Sequence, residues 1–222
     1  MSVLDALVAE TRRTGDFLAT LSSEDWDRPT RCPPMVVLDL AAHAWRGGQR
    51  IVEMVAAGPV DSEPEKDGVT YFRYDPAAIG PEVVARAQAV AAEHDAKTFA
   101  GDWRQGWAEA LDAAAVAMEK GDGVYDNVFG GLMRMSEYLR TRVLEVAIHT
   151  MDLRHAVGLS PDPTEAGLMV TCDVLRGLLG TDLRSLGVDD VRFALVGTGR
   201  EPLSESEWDL LGPLVEKFPL LA

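Results

Sequence analysis

Residues 140–155 read RTRVLEVAIHTMDLRH, and this stretch decides the fold. Apolar side chains surround Glu145 and His149 so densely that a helix here would leave little polar surface; they are Leu139, Val143, Leu144, Val146, Ala147, Ile148 and Met151. We therefore predict a helix that is buried nearly all round, as inside a helical bundle. Ser136 is a suitable N-cap for it, and Gly158 a suitable end.

The chain before this helix is also predicted to be mainly helical. Apolar periodicity indicates helices over 2–22, 36–57, 81–94 and 102–120, the last two being either separate or one interrupted helix. Pro81 fits the first turn of the third helix. Gly47 and Gly48 fall inside the second, where they indicate either a kink or the close approach of a backbone or ligand. We predict a mainly α fold, with a DinB-like up-and-down four-helix bundle over residues 1–158.

Two further segments, 58–80 and 159–222, lie outside the predicted bundle helices. Residues 58–80 are a long crossing connection whose aromatic residues Tyr71, Phe72 and Tyr74 either pack down or form a lid. Residues 159–222 are predicted to be a small α/β extension. Its parts are a helix over 164–179, a strand over VRFALVG (191–197), a turn at GTGR (197–200) and a short capped helix.

Composition narrows the classes of partner. The 222 residues carry a formal net charge of −15, which argues against nucleic acid and anionic membranes because phosphate binding needs clustered cations. The two cysteines are too few for a disulfide framework. The opening residues do not resemble a signal peptide, and no apolar run reaches the ~20 residues of a membrane span. We expect a cytoplasmic protein whose partners are small molecules.

Glu145 and His149 are the strongest candidates for chemistry. Four residues apart on a helix, they lie on one face and can chelate one metal ion. For an arbitrary pair of this spacing a solvated or mutually paired face is the commoner outcome, but a buried carboxylate needs a cationic partner. His43, embedded in LDLAAHAW, would alone be a core residue; with the other two it completes a two-histidine, one-carboxylate metal set with open coordination positions.

Several neighbouring residues have weaker claims. Asp152 could orient His149 as an outer-sphere acceptor or pair with Arg142 or Arg154, and Arg142 is the other outer-sphere candidate. Cys32 is interpreted as a packing residue, as is Cys172. His94 is expected on the surface, and His155 points away from the Glu145 face. Trp45, Tyr71 and Tyr74 could line a pocket, whereas the spacing of Trp103 and Trp107 favours the core.

Three motifs together resemble a known family. They are DW-x-x-PT-x-CP (25–33), DL-x-x-H (39–43) and R-x-x-E-x-x-x-H-x-x-D-L (142–153). At these residues the chain resembles the DinB-like metal-binding bundles, and most closely the N-terminal domain of the mycothiol-dependent maleylpyruvate isomerases. The resemblance implies zinc or another divalent metal on His43, Glu145 and His149, with a low-molecular-weight thiol, mycothiol above all, as cosubstrate. Pro34 and Met35 depart from the family's Gly-Trp, and the tail is short, which argues against maleylpyruvate itself as substrate.

The function predicted from these features is a metal-dependent thiol S-transferase or thiol-assisted isomerase. The metal would activate the cofactor thiol for attack on a small electrophile. Two alternatives remain open: a metal-dependent hydrolase of the same bundle fold, and a non-catalytic, stress-associated metal-binding bundle.

Overall fold

The structure is a computed structural model that describes residues 1–74, 76–127, 131–181 and 188–221. Its helices are α1 (Val3–Leu18), α2 (Val37–Ala57), α3 (Pro76–Ala91), α4 (Phe99–Glu119), α5 (Met135–Ala156), α6 (Glu165–Leu179), α7 (Asp190–Gly197) and α8 (Glu205–Leu211). Strands β1 (Val124–Asp126) and β2 (Leu132–Arg134) form an antiparallel pair. Short 3-10 helices lie at 25–27, 70–72 and 212–217.

Helix α5 is buried on nearly all sides, as its sequence predicts. Fifteen of its 22 residues are buried, because α1 and α2 pack on it from the bundle and α6 packs on it from the C-terminal part. The bundle consists of α1, α2, α4 and α5, in which α1 and α2 each contact both α4 and α5. Trp103 and Trp107 fill its core from α4, as predicted.

The third and fourth helices are separate, and the third begins earlier than predicted. Helix α3 starts at Pro76, so Pro81 lies inside it and its predicted place in the first turn is wrong. Pro76 itself occupies the first helical position, where a missing N–H breaks no helical hydrogen bond. The same rule therefore applies, but to the other proline. Residues 92–98 then separate α3 from α4.

The predicted N-cap of α5 is also wrong. The cap position is Arg134, because β2 leads directly into the helix. Ser136 lies in the first turn, where its backbone N–H and its hydroxyl donate to the carboxylate of Asp122 at 2.8 and 2.6 Å. The acceptor that a helix start needs thus comes from outside the segment. Gly158 ends the helix region with a φ of +78°, as predicted.

The strand predicted at 191–197 is wrong, since these residues form α7. Asp189 caps this helix by accepting from the N–H of Arg192, and Phe193, Ala194, Leu195 and Val196 are all buried. A short apolar run that is buried on all sides gives no periodicity to separate helix from strand. The capped helix predicted after it is confirmed as α8, with a capping box between Ser204 and Glu207.

The mainly α fold class is confirmed: a helical bundle with a small α/β part, whose two strands lie at 124–134. Among the described residues, no helix combines the length and apolar character that crossing a membrane requires. The boundary at residue 158 stays a prediction.

Glu10 fastens the start of α6 to the bundle. Its buried carboxylate accepts from the backbone N–H of Thr164 at 2.9 Å and from the Thr164 hydroxyl at 2.5 Å. Its other oxygen, Oε1, has no hydrogen-bond partner among the described residues. Burial raises the pKa of Glu10 although both bonds from Thr164 oppose that shift.

We predict that Glu10→Gln stabilises the protein at neutral pH. An acid with a raised pKa holds its proton more tightly in the folded state, so stability falls as the pH rises from the unfolded to the folded pKa. Glutamine keeps an acceptor for Thr164 and removes this titration. Urea unfolding from pH 4 to pH 8 should give a flatter stability profile in the variant. A profile as steep as that of the parent would contradict the interpretation.

Candidate metal centre

Three side chains from two helices meet where α2 packs against α5. His43 comes from the second turn of α2, and Glu145 and His149 come from successive turns of α5. Glu145 Oε2 lies 3.2 Å from His149 Nε2 and 3.7 Å from His43 Nε2. The two imidazole rings are 5.1 Å apart in an edge-to-face arrangement. The structure thus brings together the three predicted ligands.

The donor set suits a divalent metal ion. Two imidazole nitrogens and one carboxylate oxygen lie within 4.8 Å of one another, and this combination is typical of zinc and related ions in sites with an open coordination position. All three residues also line a pocket. A bound ion would therefore be reached from the pocket.

The charges of the three side chains are strongly coupled. Burial disfavours the Glu145 carboxylate, but the bonds from His149 and His43 hold its pKa well below the usual range. Burial likewise opposes a charge on His149, yet Asp152, Cys32 and Glu145 raise its pKa well above the usual value. Burial lowers the pKa of His43. Because a metal must displace the proton of His149, metal affinity should decrease as the pH is lowered.

Asp152 orients the His149 ring through Nδ1, the nitrogen that does not contact Glu145. His149 Nδ1 donates to Asp152 Oδ2 at 3.3 Å, which directs Nε2 toward Glu145. Asp152 is fully buried, and the guanidinium of Arg200 donates to both its oxygens at 2.9 to 3.2 Å. Burial would raise the pKa of Asp152, but His149 and Arg200 lower it to about 2. Of the two alternatives for Asp152, the structure shows the outer-sphere contact to His149.

The predicted pairing of Asp152 with Arg142 or Arg154 is absent from the described residues. Arg154 instead donates to the carbonyl of Ser160 at 2.7 Å and lies 3.8 Å from Asp162. Arg142 donates to the hydroxyls of Thr141 and Tyr71 at 3.1 and 3.2 Å. Arg142 is therefore a wall residue of the pocket, with no bond to the three ligand candidates.

Sequence reasoning missed two residues of this cluster. The sequence predicts a turn at Arg200; the residue follows Gly199, whose φ is +70°, and its side chain reaches Asp152 from beyond residue 158. Cys32 does pack against the core, as predicted, yet its Sγ also lies 3.5 Å from Asp152 Oδ2 and 3.8 Å from Arg200 Nη2. Only the CP motif before α2 could have indicated Cys32, and no sequence signal marks Arg200.

The remaining histidines lie elsewhere. His94 is not the surface residue predicted: its ring packs against Trp45 and Phe99, and its Nδ1 lies 2.8 Å from Asp102. His155 Nδ1 is 2.9 Å from Arg31. Neither belongs to the groups of potential ligand atoms found among the described residues.

The pocket over the centre has a volume of about 530 Å³. Tyr71 and Tyr74 line it from the 58–80 connection, whereas Trp45 borders a smaller depression on another side of the bundle. Leu144 and Ile148 supply an apolar wall from α5. Thr198, Arg200 and residues 219–221 close it from the C-terminal part, so residues after 158 contribute to the pocket.

Residues 7–154 match the family described as the mycothiol maleylpyruvate isomerase N-terminal domain. No curated protein and no solved structure matches the chain. The matched range contains all three ligand candidates and Asp152, and it ends before Arg200. The resemblance drawn from the three motifs is thereby confirmed.

We predict that His43→Ala and Glu145→Gln each weaken zinc binding by more than the ~10–100-fold loss typical of outer-sphere changes. Each substitution removes a donor atom from a three-donor set. Competition with a chromogenic chelator measures the affinity, and elemental analysis measures the zinc content. His94→Ala is the control, because this imidazole lies outside the cluster and should leave zinc in place. Tight zinc in both ligand variants would refute the assignment.

Asp152→Asn is expected to weaken zinc binding by ~10–100-fold without removing a ligand. The amide oxygen still accepts from His149 Nδ1 but without the negative charge that strengthens this bond, and Arg200 loses its carboxylate partner. The matched control is Asp102→Asn, which alters a carboxylate paired with an imidazole, His94, outside the candidate metal centre. Equal zinc affinities in the two variants would mean that Asp152 serves stability alone.

Proposed function

The chain belongs to the mycothiol maleylpyruvate isomerase N-terminal domain family, and from this membership we propose that it is a divalent-metal-dependent enzyme acting on thiols. In this proposal it catalyses attack of a low-molecular-weight thiol, mycothiol in first place, on a small electrophile, as an S-transferase or a thiol-assisted isomerase. The observation that carries the proposal is the placement of His43, Glu145 and His149 together at the wall of a pocket.

We propose zinc as the metal, held by His43, Glu145 and His149. The chemistry that such an ion supplies is deprotonation of a thiol near neutral pH. Glu145 is suited to its part because its pKa keeps it ionised. Asp152 and Arg200 keep His149 in the orientation that presents Nε2 to the pocket side.

The pocket supports a reaction between two small molecules. Its volume of about 530 Å³ lies within the ~300–1,000 Å³ of small-molecule sites. Leu144, Ile148 and Phe72 provide an apolar surface that excludes water from a reactive sulfur. The hydroxyl of Tyr71 and the guanidinium of Arg142 provide hydrogen-bond donors on the same wall.

The net charge and the two cysteines bear on the partners and the location of the protein. We propose that the partners are a thiol and a small electrophile rather than nucleic acid or membrane, since the net charge of −15 disfavours polyanionic surfaces. A cytoplasmic location is proposed because Cys32 and Cys172 are both free thiols, which a reducing compartment maintains.

The zinc-loaded protein should consume a fluorogenic electrophile such as monochlorobimane only when mycothiol is present. Glu145→Gln should lower this rate by at least about a hundredfold, because catalysis by a metal ion contributes several kcal/mol. His94→Gln is the control and should retain the rate. The assay is repeated with maleylpyruvate isomerisation as the second readout.

Three outcomes would overturn the proposal. Turnover of activated esters without any thiol would indicate a hydrolase that activates water. Zinc binding without turnover in either assay would indicate a non-catalytic metal-binding bundle. A mycothiol-dependent rate that is identical in Glu145→Gln would place the chemistry away from the candidate metal centre.

A further inference from the structure

Arg142 occupies an unusual position in the pocket wall. It lies on α5, three residues before Glu145, and it is buried. The guanidinium carbon is 4.9 Å from the ring centre of Tyr138 and 5.5 Å from that of Tyr71. Nε donates to the Thr141 hydroxyl and Nη2 donates to the Tyr71 hydroxyl. The planar group is therefore fixed by contacts on its face and its edge.

Arg142 forms no direct ion pair with a carboxylate among the described residues, although Glu145 lies near enough to act on its charge. The pocket is also lined by Arg46, Arg50, Arg86 and Arg200, and each of these forms an ion pair with a glutamate or an aspartate. Arg142 forms none, and its Nη1 has no acceptor in the described parts of the chain. Burying a charge without a directly bonded counter-ion is costly. Contact with the aromatic rings offsets only part of that cost.

Tyr71 leaves a second donor open beside it. Its hydroxyl oxygen accepts from Arg142 Nη2, so its own O–H is directed elsewhere. Within the described residues this O–H has no acceptor, and Tyr71 lines the pocket. Two neighbouring donors, Nη1–H of Arg142 and O–H of Tyr71, are thus available to one ligand.

Gly47 explains how α2 admits the guanidinium. A Cβ at this position would lie 3.0 Å from Nη1 and 3.4 Å from Cδ of Arg142. The helix runs unbroken through Gly47, so the glycine provides space for a side chain rather than a kink. The seat of Arg142 is therefore built from both helices of the metal centre.

We propose that Arg142 and Tyr71 form a subsite for one carboxylate, and that the electrophile is a monocarboxylate whose reactive carbon lies toward Glu145 and His149. That the ligand is an electrophile rests on the proposed function. That it carries a carboxylate rests on Arg142 and Tyr71 alone. One unpaired guanidinium corresponds to one anionic group, and a planar fork suits a planar carboxylate. Arg142 precedes Glu145 by three residues, so the two side chains are neighbours on the surface of α5 and the subsite adjoins the candidate metal centre.

The test is calorimetric titration of the full chain, with its metal, with crotonate and with the neutral isostere crotonamide. Crotonate should bind and crotonamide should not. Arg142→Gln should weaken crotonate binding by about tenfold or more, and Arg142→Lys by less, because the charge remains without the fork. Tyr71→Phe should weaken it by ~2–10-fold, the range of one neutral hydrogen bond. Arg86→Gln is the matched control, since this pocket arginine is paired with Glu82, and it should change the affinity less than twofold.

Several results would overturn the subsite. They are equal binding of the amide, no binding of crotonate to the folded parent, or an unchanged affinity in both Arg142→Gln and Tyr71→Phe. Affinity that disappears on chelation but ignores Arg142 would show a carboxylate bound to the metal instead. Tyr71→Phe keeps the result interpretable if Arg142→Gln unfolds. Crotonate binding that depends on Arg142 in a protein without thiol turnover would refute the proposed function and leave the subsite standing.

Discussion

The rest of the structure depends on the burial of α5, a helix that carries charge on several of its buried turns. Arg142, His149 and Asp152 are buried and Glu145 is partly buried, so most of this charge is satisfied by other parts of the chain. α2 supplies His43 and the space above Gly47, and the C-terminal part supplies Arg200. The bundle is thus arranged around charge compensation as much as around apolar packing.

Much of the fold could be predicted because helical periodicity is a local property. Apolar spacing predicts α1, α2 and α5. Gly158 predicts the C-terminal end of α5, and a capping box marks the start of α8. The errors have physical causes too. α7 is too short and too uniformly buried to show a period. The start of α5 is determined by a strand and by Asp122, which are not neighbours of Ser136 in the helical pattern.

The candidate site was predictable only where spacing or motif carried information. Glu145 and His149 are one turn apart, and His43 belongs to the DL-x-x-H motif at 39–43. Arg200 is 48 residues from Asp152, and Cys32 is 120 residues from it, so nothing in the sequence relates them before the chain is folded. The packing at Gly47 and Gly48 is likewise visible only in the folded chain, where side chains of Arg142 and Trp107, rather than a backbone, fill the space above an unkinked helix.

Two stretches of sequence, before and after residue 154, build the candidate metal centre and its pocket. The ion pair between Arg200 and Asp152 joins them. The family match ends at residue 154, and within it lie every candidate ligand and the carboxylate that orients His149. Thr198, Arg200 and residues 219–221 complete the pocket from beyond that limit. Substitutions in the last quarter of the chain can therefore reshape the pocket while the candidate metal centre stays intact. Arg200 is the exception, since through Asp152 a change there would be felt at the imidazole.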